Sequence, residues 1–204
     1  MDGTDSVDIR YREHGGVKEL IDVVVYAFEE ISLGFEYGDA EHVRGPGLLV
    51  VIAAGCSLSE YADPMGDNRW PVDRCRNVHA DLTAFCEVAR EVALTRDGGV
   101  VVGVDGEIQR PMVRLRTLSE REIEALGGEI TTQYADWMGS RHMSALDTSV
   151  RSDVVTAITL SEEDGRVTAF QDGKFEDVKR DELCAKWRSS GADRTPPDDF
   201  PSWT

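Results

Sequence analysis

The sequence predicts an α/β (α+β) fold, with a mixed central β-sheet flanked by helices. Three observations carry that expectation. Apolar positions recur at helical spacing in two long segments, around residues 17–34 and 80–94. Short runs rich in β-branched residues stand between and after them. Two pairs of such runs are joined by turns containing Asp-Gly, which is how antiparallel hairpins are written in sequence. Hairpins mixed with helices, with no internal repeat and no linker, call for one sheet covered by helices. The expected organisation is a single domain over residues 16–188, whose motif-bearing part is 45–175. A flexible N-terminus, 1–15, precedes it and a polar tail, 189–204, follows.

Each element has its own warrant. Leu20, Ile21, Val24, Phe28 and Ile31 share one helical face, and Gly34 stops that helix. Gly45-Pro46-Gly47 breaks the chain before LLVVIAA, a buried strand. Residues 55–79 read as a polar insertion with Pro64 and Pro71 and no periodicity. A second helix follows in ADLTAFCEVAREVAL, with Asp81 near its start. The stretch from Asp97 to Leu115 reads as a strand, a tight Asp105-Gly106 turn and a returning strand. Ser119 and Glu122 have capping-box spacing at the head of SEREIEALGG. After GSRHMSAL come a strand in DVVTAITL, the turn EEDGR and a partner strand in VTAFQDG. Residues 177–187 are expected to form one more helix.

Charge narrows the partners. With 39 acidic against 22 basic residues the net charge is −17, and the only lysines are Lys18, Lys174, Lys179 and Lys186. Such a chain lacks the clustered cations that nucleic-acid binding needs, so no nucleic-acid partner is expected. An acidic, lysine-poor surface suits high salt, where counterions screen self-repulsion; an ordinary acidic cytosolic protein is the alternative. Cys56, Cys75, Cys86 and Cys184 show no CxxC spacing and are expected to be reduced thiols. The acidic N-terminus does not resemble a secretory signal. Asp22, Glu29 and Glu30 interrupt the longest apolar window, so a soluble, cytoplasmic protein without membrane contact is expected.

Three stretches have residues that chemistry could use. Asp97-Gly98-Gly99 lies between a helix end and a strand, where glycine lets a ligand approach and aspartate can hold a divalent metal. In Gly139-Ser140-Arg141-His142, Ser140 is the N-cap candidate of a helix whose amides and Arg141 would hold a phosphate. Ser161-Glu162-Glu163-Asp164-Gly165 puts carboxylates on a hairpin turn. Singly, each also reads as a plain turn or a capped surface helix.

Their order is more specific than any one of them. GPGLLVVI, Asp97-Gly98-Gly99, VVGVDGEIQRPMVRL, GSRHMSAL and SDVVTAITLSEEDGRVTAFQDGKF together resemble the diadenylate cyclase domain family, in a form adapted to high salt. They match that family's G-A-L-I-V-I strand, its D-G-A motif and following hairpin, its G-T-R-H-R-A-A turn and its S-E-E-T-G turn. The resemblance covers residues 45–175 and leaves the first 44 residues, the tail and the 55–79 insertion aside. It implies a diadenylate-cyclase-like fold and the condensation of two ATP into cyclic di-AMP at a face-to-face homodimer, with Mn2+ or Mg2+. By the same resemblance, Asp97, Arg141 and His142 are catalytic, and Asp97 and Glu163 hold metal. Gly98, Gly99, Leu115, Gly139, Ser140, Ser161 and Glu162 contact nucleotide, with Leu115 either packing on adenine or serving as ordinary core. There are three departures. Gly99 replaces Ala, Ser140 replaces Thr, and Met143 replaces the second Arg of the family's R-H-R, which removes a cation. That last change keeps a second expectation open, a domain that binds ATP or cyclic di-AMP as a sensor without turning it over.

Overall fold

A computed structural model describes residues 14–36, 44–54, 61–119, 121–122 and 134–190. The expectations for residues 1–13 and 191–204, for Cys56, and for the helix beyond Glu122 lie outside the described residues. The elements are helix α1 (Gly15–Gly34), β1 (Leu48–Ala53), β2 (Ala62–Arg69), α2 (Leu82–Thr95), β3 (Gly99–Gly103) and β4 (Pro111–Leu115), followed by α3 (Ser140–Ser149), β5 (Val154–Leu160), β6 (Val167–Gln171), β7 (Lys174–Val178) and α4 (Arg180–Ser190). Among them the strands form one sheet in the order β2-β4-β3-β1-β5-β6-β7. β1 runs parallel to β3, and the other pairings are antiparallel. The fold is the α+β arrangement that the periodicities predict.

The all-buried run of β1 has a simple cause, since successive side chains of a strand point to opposite faces. Leu48, Val50 and Ile52 pack with α1 and α2, among Leu20, Val24, Phe28, Phe85 and Val92. Leu49, Val51 and Ala53 join the opposite core with Ala145 and Leu146 of α3. A strand covered on both faces has no polar positions, which is why its sequence shows no alternation. α2 is capped as expected, Asp81 accepting from the Ala84 amide at 2.9 Å. The Ser119–Glu122 capping box also forms, the Ser119 amide donating to the Glu122 carboxylate at 2.7 Å.

Two strands escape the sequence reading. β2 lies inside the segment read as a patternless insertion, yet Ala62, Asp63 and Pro64 pair with Leu115, Arg114 and Val113. It is an edge strand, so it is held by backbone pairing and tolerates Pro64 and charged residues where a central strand would not. β7 follows β6 through Asp172 and Gly173, whose φ values of 49° and 73° give the left-handed two-residue turn of a tight hairpin. α4 therefore begins at Arg180, after a strand occupying the start of the expected helix. It docks through Glu29, a buried carboxylate that accepts from Lys186 Nζ at 2.6 Å and Trp187 Nε1 at 2.8 Å. Cys75, Cys86 and Cys184 are free thiols. No described helix is long and apolar enough to cross a membrane.

Candidate functional site

Topology gathers the singled-out loops at one end of the sheet. Because β1 and β3 are parallel, Gly45-Pro46-Gly47 and Asp97-Gly98 enter the sheet from the same side. β5 runs antiparallel to β1 with Leu160 opposite Leu48, so the turn after it, Ser161–Arg166, emerges there as well. The Gly45 amide donates to the Glu162 carbonyl at 2.8 Å, tying the first and last of these loops together.

Arg141 is the hub. From the first turn of α3 its Nη2 lies 3.7 Å from Asp97 Oδ1, and its Nη1 lies 3.6 Å from Glu162 Oε2. Arg44 approaches the other Glu162 oxygen at 3.5 Å. The guanidinium crosses the backbone of Gly47 so closely that a Cβ there would fall 2.5 Å from Nη1 and 2.9 Å from Glu162 Cβ. A side chain at 47 would push the guanidinium aside and crowd Glu162. Separations of 3.5–3.7 Å are charge contacts, longer than good hydrogen bonds. An incoming phosphate can therefore replace them at small cost. Arg44 and Gly47 were not singled out as contacts by sequence, although Gly45-Pro46-Gly47 flagged the loop.

Asp97 is 75% exposed, and its Oδ1 also accepts from the Gly98 amide at 2.8 Å. Gly98 has φ 103°, so only glycine is comfortable there. Gly99 does not; an added Cβ would make ordinary contacts at 3.4 Å with Leu49. The Gly99-for-Ala departure is consequently neutral for the backbone.

At α3 the cap is displaced by one residue from the expectation. Gly139 is the N-cap and Ser140 is the first helical residue, with no side chain capping the turn. A glycine cap leaves the first-turn amides open at the positive end of the helix, which suits an anion better than a self-satisfied serine cap. Met143 is 37% exposed in this turn.

The other expected residues separate into surface and interior. Glu163 is exposed on the turn after β5, and Glu162 is the glutamate of that turn that faces Arg141. Ser161 is buried, and its Oγ accepts from the Glu163 and Asp164 amides at 3.3 and 3.4 Å, which shapes the turn. Leu115 is buried in the α3-side core with Tyr61, Val101 and Val113. His142 points inward, 6% exposed, with its ring edge-on to Trp137 at 5.1 Å and 6.3 Å from Phe170. Its Nε2 is buried with no hydrogen-bond partner among the described residues. Burial pushes its pKa down to about 4, so the ring is neutral at pH 7.

Behind His142 stands a group that sequence reasoning missed. Arg166 lies over the Trp137 ring at 4.1 Å and pairs with Asp164 and Asp177. Asp164 lies two residues before Arg166, and the register of β6 with β7, opposing Thr168 to Asp177, brings in Asp177. For a metal, no cluster of three or more His, Cys, Asp or Glu side chains exists among the described residues. The donor set fits a Mg2+-like ion held by one carboxylate, Asp97, and completed by water and phosphate oxygens rather than by a protein cage.

Residues 79–175, just under half of the chain, match the family model DAC, described as DisA bacterial checkpoint controller nucleotide-binding. The matched span includes Asp97, Arg141 and Glu162 and excludes Arg44, Gly47 and β2. Among curated proteins nothing matches the chain. A solved structure of a hypothetical membrane-spanning protein from Bacillus cereus superposes with a TM-score of 0.50 at 20% identity, covering 79% of this chain and 64% of that one. The chain thus spans less than two thirds of that protein's length. DacA from Staphylococcus aureus, solved as a double cysteine mutant, matches with a TM-score of 0.45 at 18% identity, over 83% of this chain and 95% of its own.

Proposed function

We propose that this chain is a diadenylate cyclase domain, which condenses two ATP into cyclic di-AMP and two pyrophosphates. The observation that carries the reading is the convergence of Arg141, Asp97 and Glu162 at the open N-terminus of α3. A match over residues 79–175 to a nucleotide-binding family supports it.

The chemistry uses those groups in distinct ways. The 3′-hydroxyl of one ATP attacks the α-phosphate of the other; the new P–O3′ bond forms as the bond to pyrophosphate breaks, and the hydroxyl proton leaves to solvent or a carboxylate. A second such step closes the ring. Arg141 and the α3 amides, from Ser140 to His142, take up phosphate charge that grows in the transition state. On nucleotide binding Arg141 exchanges its long contacts to Asp97 and Glu162 for phosphate oxygens, freeing the Asp97 carboxylate for the attacking hydroxyl and the metal. Mn2+ or Mg2+, held by Asp97 with Glu163 as the weaker candidate, would polarise the α-phosphate and lower the hydroxyl pKa. Neutral His142 braces the phosphate-binding turn from inside, against Trp137. Gly98, Gly99, Gly139, Ser161 and Glu162 line the nucleotide, with Leu115 beneath the adenine. One such shallow site holds one ATP, so two copies must face each other, as a cytoplasmic homodimer.

Met143 favours a second reading. Its exposed thioether stands where the resemblance expects a cation, and a domain without that charge would bind ATP or cyclic di-AMP as a sensor. Incubation of the purified protein with ATP and Mn2+ or Mg2+, at low and molar KCl, separates the two. Cyclic di-AMP and pyrophosphate support the cyclase; ATP binding without product in every condition supports the sensor.

A further inference from the structure

The segment that sequence could not assign reaches the site. β2 pairs with β4 as far as Pro64 and regains register only at Arg69, opposite Pro111. The residues between bulge outward, with Gly66 at φ 57°. This bulge folds against the Asp97-Gly98 peptide. Met65 Sδ lies 2.6 Å from the point a Gly98 Cβ would occupy, and Asn68 Nδ2 donates to the Asp97 carbonyl at 3.2 Å.

Asp97 needs such a clasp. It lies between the end of α2 and a glycine with a left-handed φ, its side chain is mostly exposed, and glycine is the residue with most conformational freedom to lose. Nothing in the first-turn contacts of α3 restrains its backbone; Arg141 reaches only its carboxylate, at 3.7 Å. Groups that meet a reacting atom must be held to within about 0.5 Å to be effective.

We propose that Asn68 is a positioning residue for Asp97, with Met65 packing the Gly98 backbone beneath it. The inference rests on the reading of Asp97 as the carboxylate that meets metal and ribose hydroxyl. Asn68 touches neither; it fixes the peptide from which that carboxylate projects. Both residues belong to the edge strand β2, outside the span that matches the family model.

The test compares wild type with Asn68→Ala, Asn68→Asp and Asn68→Gln, in ATP turnover with Mn2+ and in calorimetric ATP binding with Mn2+ and with EDTA. Asn68→Ala and Asn68→Asp, which lack the amide donor, should lower kcat about tenfold or more while KM for ATP and the melting temperature stay as in wild type. The Mn2+ concentration for half-maximal activity should rise, and Asn68→Gln should recover part of the rate. Wild-type kcat in Asn68→Ala overturns the inference. So does a joint collapse of kcat, KM and melting temperature, which marks a purely structural residue. If the wild type binds ATP but forms no product, the cyclase reading fails separately and binding decides. Asn68→Ala should then need a higher Mn2+ concentration to reach half of the Mn2+-dependent gain in ATP affinity and keep the affinity measured in EDTA; an unchanged Mn2+ dependence overturns the inference. A wild type that binds no ATP ends both.

Discussion

The guanidinium of Arg141 stands between two carboxylates, 3.7 Å from Asp97 and 3.6 Å from Glu162, and within hydrogen-bonding distance of neither. This is a cation held in place without being satisfied. Its donors remain available to an anion's oxygens, with the two carboxylates on either side.

Asp97→Asn should abolish cyclic di-AMP formation while leaving the melting temperature within a degree or two. The carboxylate is exposed, so its charge contributes little to folding, and an amide can still accept from the Gly98 amide. Near-normal turnover in this variant, measured by product chromatography with Mn2+, would remove Asp97 from the reacting groups.

Arg141→Ala should weaken ATP binding by about 10- to 150-fold, since a hydrogen bond to a charged group is worth about 1.5–3 kcal/mol. Gly47→Ala should weaken it too without touching Arg141 directly, because a Cβ at 47 displaces the guanidinium and crowds Glu162. Calorimetric titration of ATP into both variants is the measurement. Wild-type affinity in both would return Arg141 to the role of a solvated surface side chain.

Stability should fall as pH drops from 6.5 towards 4, through His142. In the folded chain burial depresses its pKa to about 4, with Asp164 and Asp177 opposing and Arg141 and Arg166 adding to the depression. The unfolded chain binds that proton from about pH 6.5 downward. Between these values the unfolded state carries more protons, so folding weakens as pH falls, by up to about 3 kcal/mol from this group. Urea titrations between pH 7.5 and 4.5 should show the slope, and His142→Phe should flatten it. Parallel curves for the two proteins would mean that the imidazole titrates normally.

Activity should rise with KCl towards the molar range. On the proposed dimeric reading, two copies at −17 must meet, each with a polyanionic nucleotide, and the screening length falls from about 30 Å at 0.01 M salt to about 3 Å at 1 M. Met143→Arg should help most in dilute buffer, where an added cation is least screened. Best wild-type activity in dilute buffer, or a Met143→Arg variant indistinguishable at every ionic strength, would refute the corresponding half of this expectation.

What the sequence made legible follows from how each element is held. α1, α2 and β1 are stabilised by burying apolar side chains, and burial leaves a periodic trace. β2 is stabilised by backbone hydrogen bonds at an edge, and a run of Ala-Asp-Pro-Met-Gly-Asp-Asn-Arg leaves none. β7, five residues with two acids, is short enough to pass for the approach to a helix. At the site, Asp97, Arg141 and Glu162 were visible because loops carrying Gly, Arg and acids invite the question of a ligand. The shift of the cap from Ser140 to Gly139 was not, since both residue types cap helices well. Nor was the inward turn of His142, which depends on Trp137 and Arg166 arriving from separate elements.

The opposition of Leu48 to Leu160 also sets a clock on the protein's assembly. Residues that join at the site come from near positions 44, 97, 141 and 162, and β1 cannot complete its pairing until β5 exists. On the proposed reading, a growing chain has no grip on ATP until β5, the fifth of the seven described strands in chain order, has been synthesised, and long-range strand closure of this kind is the slow part of folding. If the closed site holds ATP as proposed, the nucleotide acts on the folding equilibrium itself, favouring chains that have closed over those that have not.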